Sequence, residues 1–149
     1  MRKLRISKEF RFEMAHALYG YDGPCKNVHG HSYQLTVTLI GEPISDPDNV
    51  KFGMVMDFTD LKKIVNGQVI DQFDHALVVN KNSPHKEIAN HEEWAGKIIL
   101  ADYQPSCENL LLDFVDRIKS KLNDGVRLHS ARLRETQTSF AEWFESDNL

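Results

Sequence analysis

The sequence predicts an α+β fold, a four-stranded antiparallel sheet with two helices on one face, in the order strand, strand, helix, helix, strand, strand. Three observations predict it: apolar residues alternate with polar ones in two early segments, recur at helical spacing in the middle of the chain, and return to strand-like stretches near its end. No repeat, low-complexity stretch or linker divides the chain, so residues 1–149 are read as one domain. At this length a chain buries roughly 68–70% of the surface its unfolded form exposes, and a core forms without disulfides.

The first strand runs from Leu4 to Met14, where Leu4, Ile6, Phe10, Phe12 and Met14 fall on even positions and Lys8 breaks the alternation once. Tyr19 to Pro24, with two glycines and a proline, reads as an irregular loop. The clearest strand follows, with Tyr33, Leu35, Val37 and Leu39 on one side and Gln34, Thr36 and Thr38 on the other. Flanking one loop, the two strands are expected to pair antiparallel. Gly41 to Asn49 is turn chemistry. A helix is predicted from Asp57 onward, capped by Thr59, with Leu61, Ile64, Val65 and Val69 at helical spacing and Gly67 as a weak point. The second helix has Ser106 as its N-cap, Glu108 in the first turn, and a stripe of Leu111, Phe114, Val115, Ile118 and Leu122 that Asp124-Gly125 ends. Val126 to Phe144 supplies the last two strands, and Ala76 to Pro105 reads as irregular. Such a sheet leaves two edges and one face uncovered, so a homo-oligomer is expected.

Charge and cysteine usage narrow the function. Lys plus Arg total 18 against 22 Asp plus Glu, a formal net charge of −4, which argues against a nucleic-acid or anionic-membrane partner but leaves room for a local cationic pocket holding one phosphorylated small molecule. No stretch approaches the ~20 apolar residues of a membrane span. Met1 to Lys8 lacks the apolar run of a signal peptide, and the two cysteines lie far apart, so free thiols in the cytoplasm are expected.

Seven histidines are the compositional feature that carries chemistry. His29-Gly30-His31 begins the best strand, where residues two apart project from one face, and His16 lies at the end of the strand expected to pair with it. Three imidazoles without a fourth protein ligand describe a catalytic zinc site with an open position. Cys25, four residues before His29, could instead complete a closed Cys-His structural site; spacing alone leaves both arrangements open. As a loop thiol beside Lys26, Cys25 is otherwise a candidate general base. Asp74-His75 places a carboxylate next to an imidazole, an arrangement suited to moving protons, although neighbours in sequence rarely face each other in a helix or strand. Glu135, at a strand end, carries little signal alone, and Cys107 reads as a small apolar residue in a first helical turn.

Taken together and in order, His16, Cys25-Lys26-Asn27-Val28-His29-Gly30-His31, Asp74-His75, Pro105-Ser106-Cys107-Glu108-Asn109 and Arg134-Glu135-Thr136 resemble the motifs of the 6-pyruvoyl-tetrahydropterin synthase and 6-carboxytetrahydropterin synthase superfamily. The resemblance runs from about Phe10 to Phe140. It implies the tunnelling fold, whose ββααββ subunits form trimeric barrels that usually stack into hexamers. It also implies zinc on His16, His29 and His31, Cys25 as base, and Asp74 and His75 as a relay given to a neighbouring subunit. Glu135 then anchors the pterin, Ser106 to Asn109 help cradle it, and the substrate is a dihydropterin triphosphate. Lys26, Arg132 and Arg134 are candidates for its phosphates.

Three residues separate Cys25 from His29, the spacing of the carboxytetrahydropterin branch, which is linked to queuosine synthesis; the pyruvoyl branch has a longer spacing. Cys107 stands where relatives usually have Ser or Thr, and Ala76 to Gln104 is longer than in compact bacterial relatives. Outside these enzyme readings, a zinc-stabilised assembly module is the alternative.

Overall fold

The computed structural model describes residues 2–149. In chain order its elements are β1 (Leu4–His16), β2 (His29–Gly41), α1 (Phe58–Val65), α2 (Asp71–Phe73), β3 (Ala76–Asn80), β4 (Ile98–Ala101), α3 (Cys107–Lys119), β5 (Val126–Arg134) and β6 (Phe140–Phe144). Tight 3-10 turns fall at Pro24–Lys26, Pro84–Asn90 and Glu145–Asn148. β1 and β2 pair antiparallel over their whole length, from Leu4 opposite Gly41 to His16 opposite His29. That register places His31 opposite Met14 and puts three imidazoles at one end of the ladder, on the buried face. A one-residue slip would turn one strand's histidines to the other face.

β5 pairs antiparallel with β2, with an irregularity between Thr38 and Leu39, and β6 pairs antiparallel with β5. These are the four antiparallel strands the sequence predicts, but the sheet holds six, in the order β4-β3-β1-β2-β5-β6. The extra strands correct the irregular reading of Ala76 to Pro105: β3 runs parallel to β1, and β4 parallel to β3. Their sequences, Ala76-Leu77-Val78-Val79-Asn80 and Ile98-Ile99-Leu100-Ala101, are short continuous apolar runs. Parallel strands characteristically read this way, so the alternation that marks a half-exposed antiparallel strand is missing.

Two boundaries also move. Asp57, not Thr59, caps α1: its Oδ1 accepts the Thr59 amide at 2.8 Å, while Thr59 lies inside the helix. At Gly67 the helical path widens into a π-turn, Asn66–Ile70, before α2, so Leu61, Val65, Val69 and Phe73 still share one buried face. Ser106 caps α3 as expected, its Oγ accepting the Asn109 amide at 3.2 Å. α3 ends at Lys119, short of Leu122, and the chain turns at Gly125, whose φ of +91° suits glycine.

The helices cover the inner face of the sheet. Phe114 packs edge-on against Phe73 at 4.8 Å and Phe12 at 5.9 Å, and Phe12 stacks on Tyr33 at 5.2 Å. A fully buried aromatic of this kind costs about 3–5 kcal/mol when cut to alanine. The other face is polar and bare: Arg5, Ser7, Glu9, Arg11 and Glu13 of β1 are all exposed. Among the described residues no helix is long and apolar enough to cross a membrane.

Candidate metal centre and adjoining cavity

His16 is 2% exposed at the end of β1, and its Nδ1 lies 2.6 Å from the Pro105 carbonyl oxygen. A carbonyl only accepts, so Nδ1 carries the proton and Nε2 presents a lone pair. His29 repeats the arrangement, with Nδ1 donating to the Asn27 carbonyl at 2.7 Å. The two Nε2 atoms then face each other at 3.1 Å. Two lone pairs this close require a cation or a proton between them. The Nε2 of His31 is buried without a hydrogen-bond partner, and the three ligating nitrogens all lie within 4.8 Å of one another. Nitrogens bound to one zinc at 2.0–2.1 Å would be roughly 3.4 Å apart, so small rotations of the rings suffice. The residues fit a metal, with backbone carbonyls orienting two of the three ligands as is usual around metal-bound histidines. Imidazoles alone suit zinc, copper, iron or nickel.

Burial holds the His16 and His31 pKa values below the ordinary 6.5, outweighing the upward pull of the Pro105 carbonyl on His16 and of Glu135 on both. Neutral rings are the form a metal needs. Glu135 follows β5, in the turn to β6, with its Oε1 3.8 Å from His31 Nε2 and its Oε2 3.9 Å from His16 Nε2. Tyr33 donates its phenol proton to Glu135 Oε2 at 3.4 Å. Burial first, and then the Glu135 charge, push that phenol far above its usual range, so it remains a donor.

Beside the histidines lies a cavity of about 180 Å³ lined by His16, Leu18, Cys25, Ser106, Cys107, Glu108, Glu135, Ser139, Phe140 and Ala141. Six residues singled out in the sequence, Cys25, Ser106, Cys107, Glu108, Glu135 and His16, thus share one space. Cys25 sits in the Pro24–Lys26 turn, fixed by the Leu18 amide donating to its carbonyl at 2.9 Å. It is not among the donors that converge on the metal position, which are the three histidines alone among the described residues. Cys107 donates its thiol proton to the Leu133 carbonyl at 3.3 Å, and burial reinforced by Glu135 pushes its pKa up to about 12. It is a neutral wall of the cavity. Arg132 and Arg134 stack on Phe140, a wall of this cavity, at 4.4 and 4.6 Å, but neither they nor Lys26 line the cavity themselves.

Asp74 and His75 do face each other, because His75 has a φ of +63°. For a residue with a Cβ this conformation costs about 1–2 kcal/mol, and it is held by local bonds. Asp74 Oδ1 accepts the Glu13 amide at 2.9 Å and His75 Nδ1–H at 3.0 Å, while the His75 amide donates to the Glu13 carbonyl at 2.5 Å. The Glu13 amide is the main cause that lowers the Asp74 pKa, with His75 and Lys97 adding to it. The pair nevertheless lies outside the cavity of Cys25 and Glu135. The His75 side chain, 75% exposed, lines a separate open depression with Glu13, His31 and Ala76.

Tyr33 was legible only as core, although it continues the face of His29 and His31 two residues on. The carbonyls of Pro105 and Asn27 leave no mark in a sequence at all.

This fold and donor set define a class of protein, an α+β chain in which three strand-borne histidines could hold one metal ion. The chain belongs to the 6-pyruvoyl tetrahydropterin synthase family, whose profile matches residues 5–146. It is 37% identical to a Haemophilus influenzae protein named 6-carboxy-5,6,7,8-tetrahydropterin synthase, over 95% of this chain and 99% of that one. An Aquifex aeolicus protein of the same name is 32% identical, with 96% and 99% covered. Among solved structures, an uncharacterised Wolinella succinogenes protein shares the fold at a TM-score of 0.78 and 18% identity, covering 97% of this chain and 99% of that one. The 6-pyruvoyl tetrahydropterin synthase of Caenorhabditis elegans does so at 0.66 and 24%, with 97% and 96% covered.

Proposed function

We propose that this chain is a zinc-dependent 6-carboxy-5,6,7,8-tetrahydropterin synthase, converting 7,8-dihydroneopterin triphosphate and water to 6-carboxytetrahydropterin, acetaldehyde and triphosphate on the route to queuosine. The observation that carries the reading is the cluster of three imidazoles, two of them oriented by backbone carbonyls, beside a cavity that His16 lines together with the Cys25 thiol and the Glu135 carboxylate. The relatives named for the carboxy product and the three residues between Cys25 and His29 support this branch.

Zinc on His16, His29 and His31 would polarise the side-chain oxygens of the substrate. Glu135, fixed by Tyr33, accepts hydrogen bonds from the 2-amino group and ring N–H of the pterin. Ser106, Cys107 and Glu108 wall the same cavity. Cys25 is the base that removes a proton from the side chain. His75, with Nδ1–H tied to Asp74, presents the Nε2 lone pair outward as the second proton carrier. Its exposure, together with the bare polar sheet face, supports a homotrimer or hexamer in which Asp74 and His75 serve a neighbour's cavity.

Incubation with 7,8-dihydroneopterin triphosphate tests the reading. Acetaldehyde should appear one for one with 6-carboxytetrahydropterin. A product retaining all side-chain carbons, without acetaldehyde, would assign the pyruvoyl branch, and metal binding with no turnover would leave a zinc-stabilised assembly module.

A further inference from the structure

The parallel strands β3 and β4 place one residue where nothing in the proposed chemistry requires it. Lys97 lies immediately before β4, and its carbonyl accepts the Leu77 amide at 2.9 Å, two residues beyond His75. Its Nζ reaches back to donate to the carbonyls of Asp71 at 3.0 Å and Asp74 at 2.5 Å. These oxygens belong to α2 and its cap, where carbonyls lack helical partners and a cation is favoured. α2 has no basic residue in its own last turn, so the cation comes from the β3–β4 connection.

We propose that Lys97 is a positioning residue for His75: its ammonium clamps the end of α2 and so holds the left-handed turn that aims the imidazole away from its own subunit's cavity. The turn has three anchors. Asp74 Oδ1 fixes the ring through Nδ1, Glu13 fixes the Asp74 carboxylate through its amide and the His75 backbone through its carbonyl, and Lys97 fixes the helix end. Only the Lys97 anchor comes from the long segment after β3. Stretching that segment into a parallel strand pair is what brings the lysine within reach. The catalytic half of the proposal rests on His75 being the proton carrier; the structural half does not.

The test uses the full-length zinc-loaded protein and three variants. Lys97→Met should lower kcat roughly ten- to a hundred-fold, as a small misplacement of a reacting group does, with KM for dihydroneopterin triphosphate and zinc content unchanged. Amide exchange followed by mass spectrometry should be roughly ten-fold faster across Asp74 and His75, with α3 unaffected. Lys97→Arg, which can still donate to two carbonyls, should restore most of both. An ordinary surface lysine would move neither readout, and unchanged kcat or unchanged exchange in Lys97→Met overturns the proposal. His75→Ala is the control: full turnover in that variant would refute the relay itself, and the clamp would then be judged by the exchange result alone.

Discussion

The metal pocket and the Asp74-His75 turn are built in opposite ways. The pocket's three imidazoles stand on the antiparallel β1–β2 ladder, sit partly or wholly buried, and two of them are oriented by carbonyls of the same chain. The turn hangs from the parallel side of the sheet, carries a positive φ, and exposes its imidazole. The first region is finished within one chain. The second is organised with equal care, by bonds from Glu13, Asp74 and Lys97, yet faces away from the cavity that holds Cys25. On the proposed reading, a site split in this way gives assembly a chemical role.

Two substitutions break the comparison most sharply. His29→Ala should lose both zinc and turnover, because the two remaining nitrogens cannot hold the ion at working concentrations. Cys25→Ala should keep full zinc and lose roughly 10²- to 10⁴-fold in kcat, the usual contribution of a positioned base. Metal analysis beside a rate assay separates them; substantial turnover in Cys25→Ala would remove the thiol as base.

The pocket should also respond to acid before the turn does. In metal-stripped protein, His16 and His31 have folded-state pKa values below the ordinary 6.5, so the unfolded chain binds more protons and stability falls as pH drops below about 6.5. The Asp74 carboxyl is lowered from 3.8, so its contribution is present above that value and is lost only as pH falls further, through its folded pKa. Thermal melts of the stripped protein between pH 7.5 and 5.5 should show Tm decreasing with acid, and a flat profile would show that the imidazoles are not buried neutral. Zinc should shift the loss to lower pH, since protons and metal compete for the same lone pairs.

How much of this the sequence reveals follows the same division. Alternation gave away β1, β2 and the face on which the histidines meet, because one side of that ladder is buried and the other wet. The parallel pair β3–β4 stayed hidden, since Leu77-Val78-Val79 and Ile98-Ile99-Leu100 show no period to read. Cys25, Glu135 and the start of α3 were identifiable by motif, but their meeting in one cavity depends on pairing between distant strands. That Asp74 and His75 face each other depends on one positive φ, which an ordinary His does not announce. The α1 cap shows the smallest effect of this kind: Asp57→Ala should cost about 0.5–2 kcal/mol in denaturant unfolding, while Thr59→Ala should change little.

Complementation tests the split site most directly. Cys25→Ala and His75→Ala chains, each nearly inactive, can be co-expressed with different affinity tags and the mixed oligomer isolated through both. Because each variant retains the half the other lacks, the mixed oligomer should form acetaldehyde from dihydroneopterin triphosphate at a rate far above either parent. A doubly tagged, zinc-loaded oligomer that stays as inactive as its parents would contradict an active site shared between subunits.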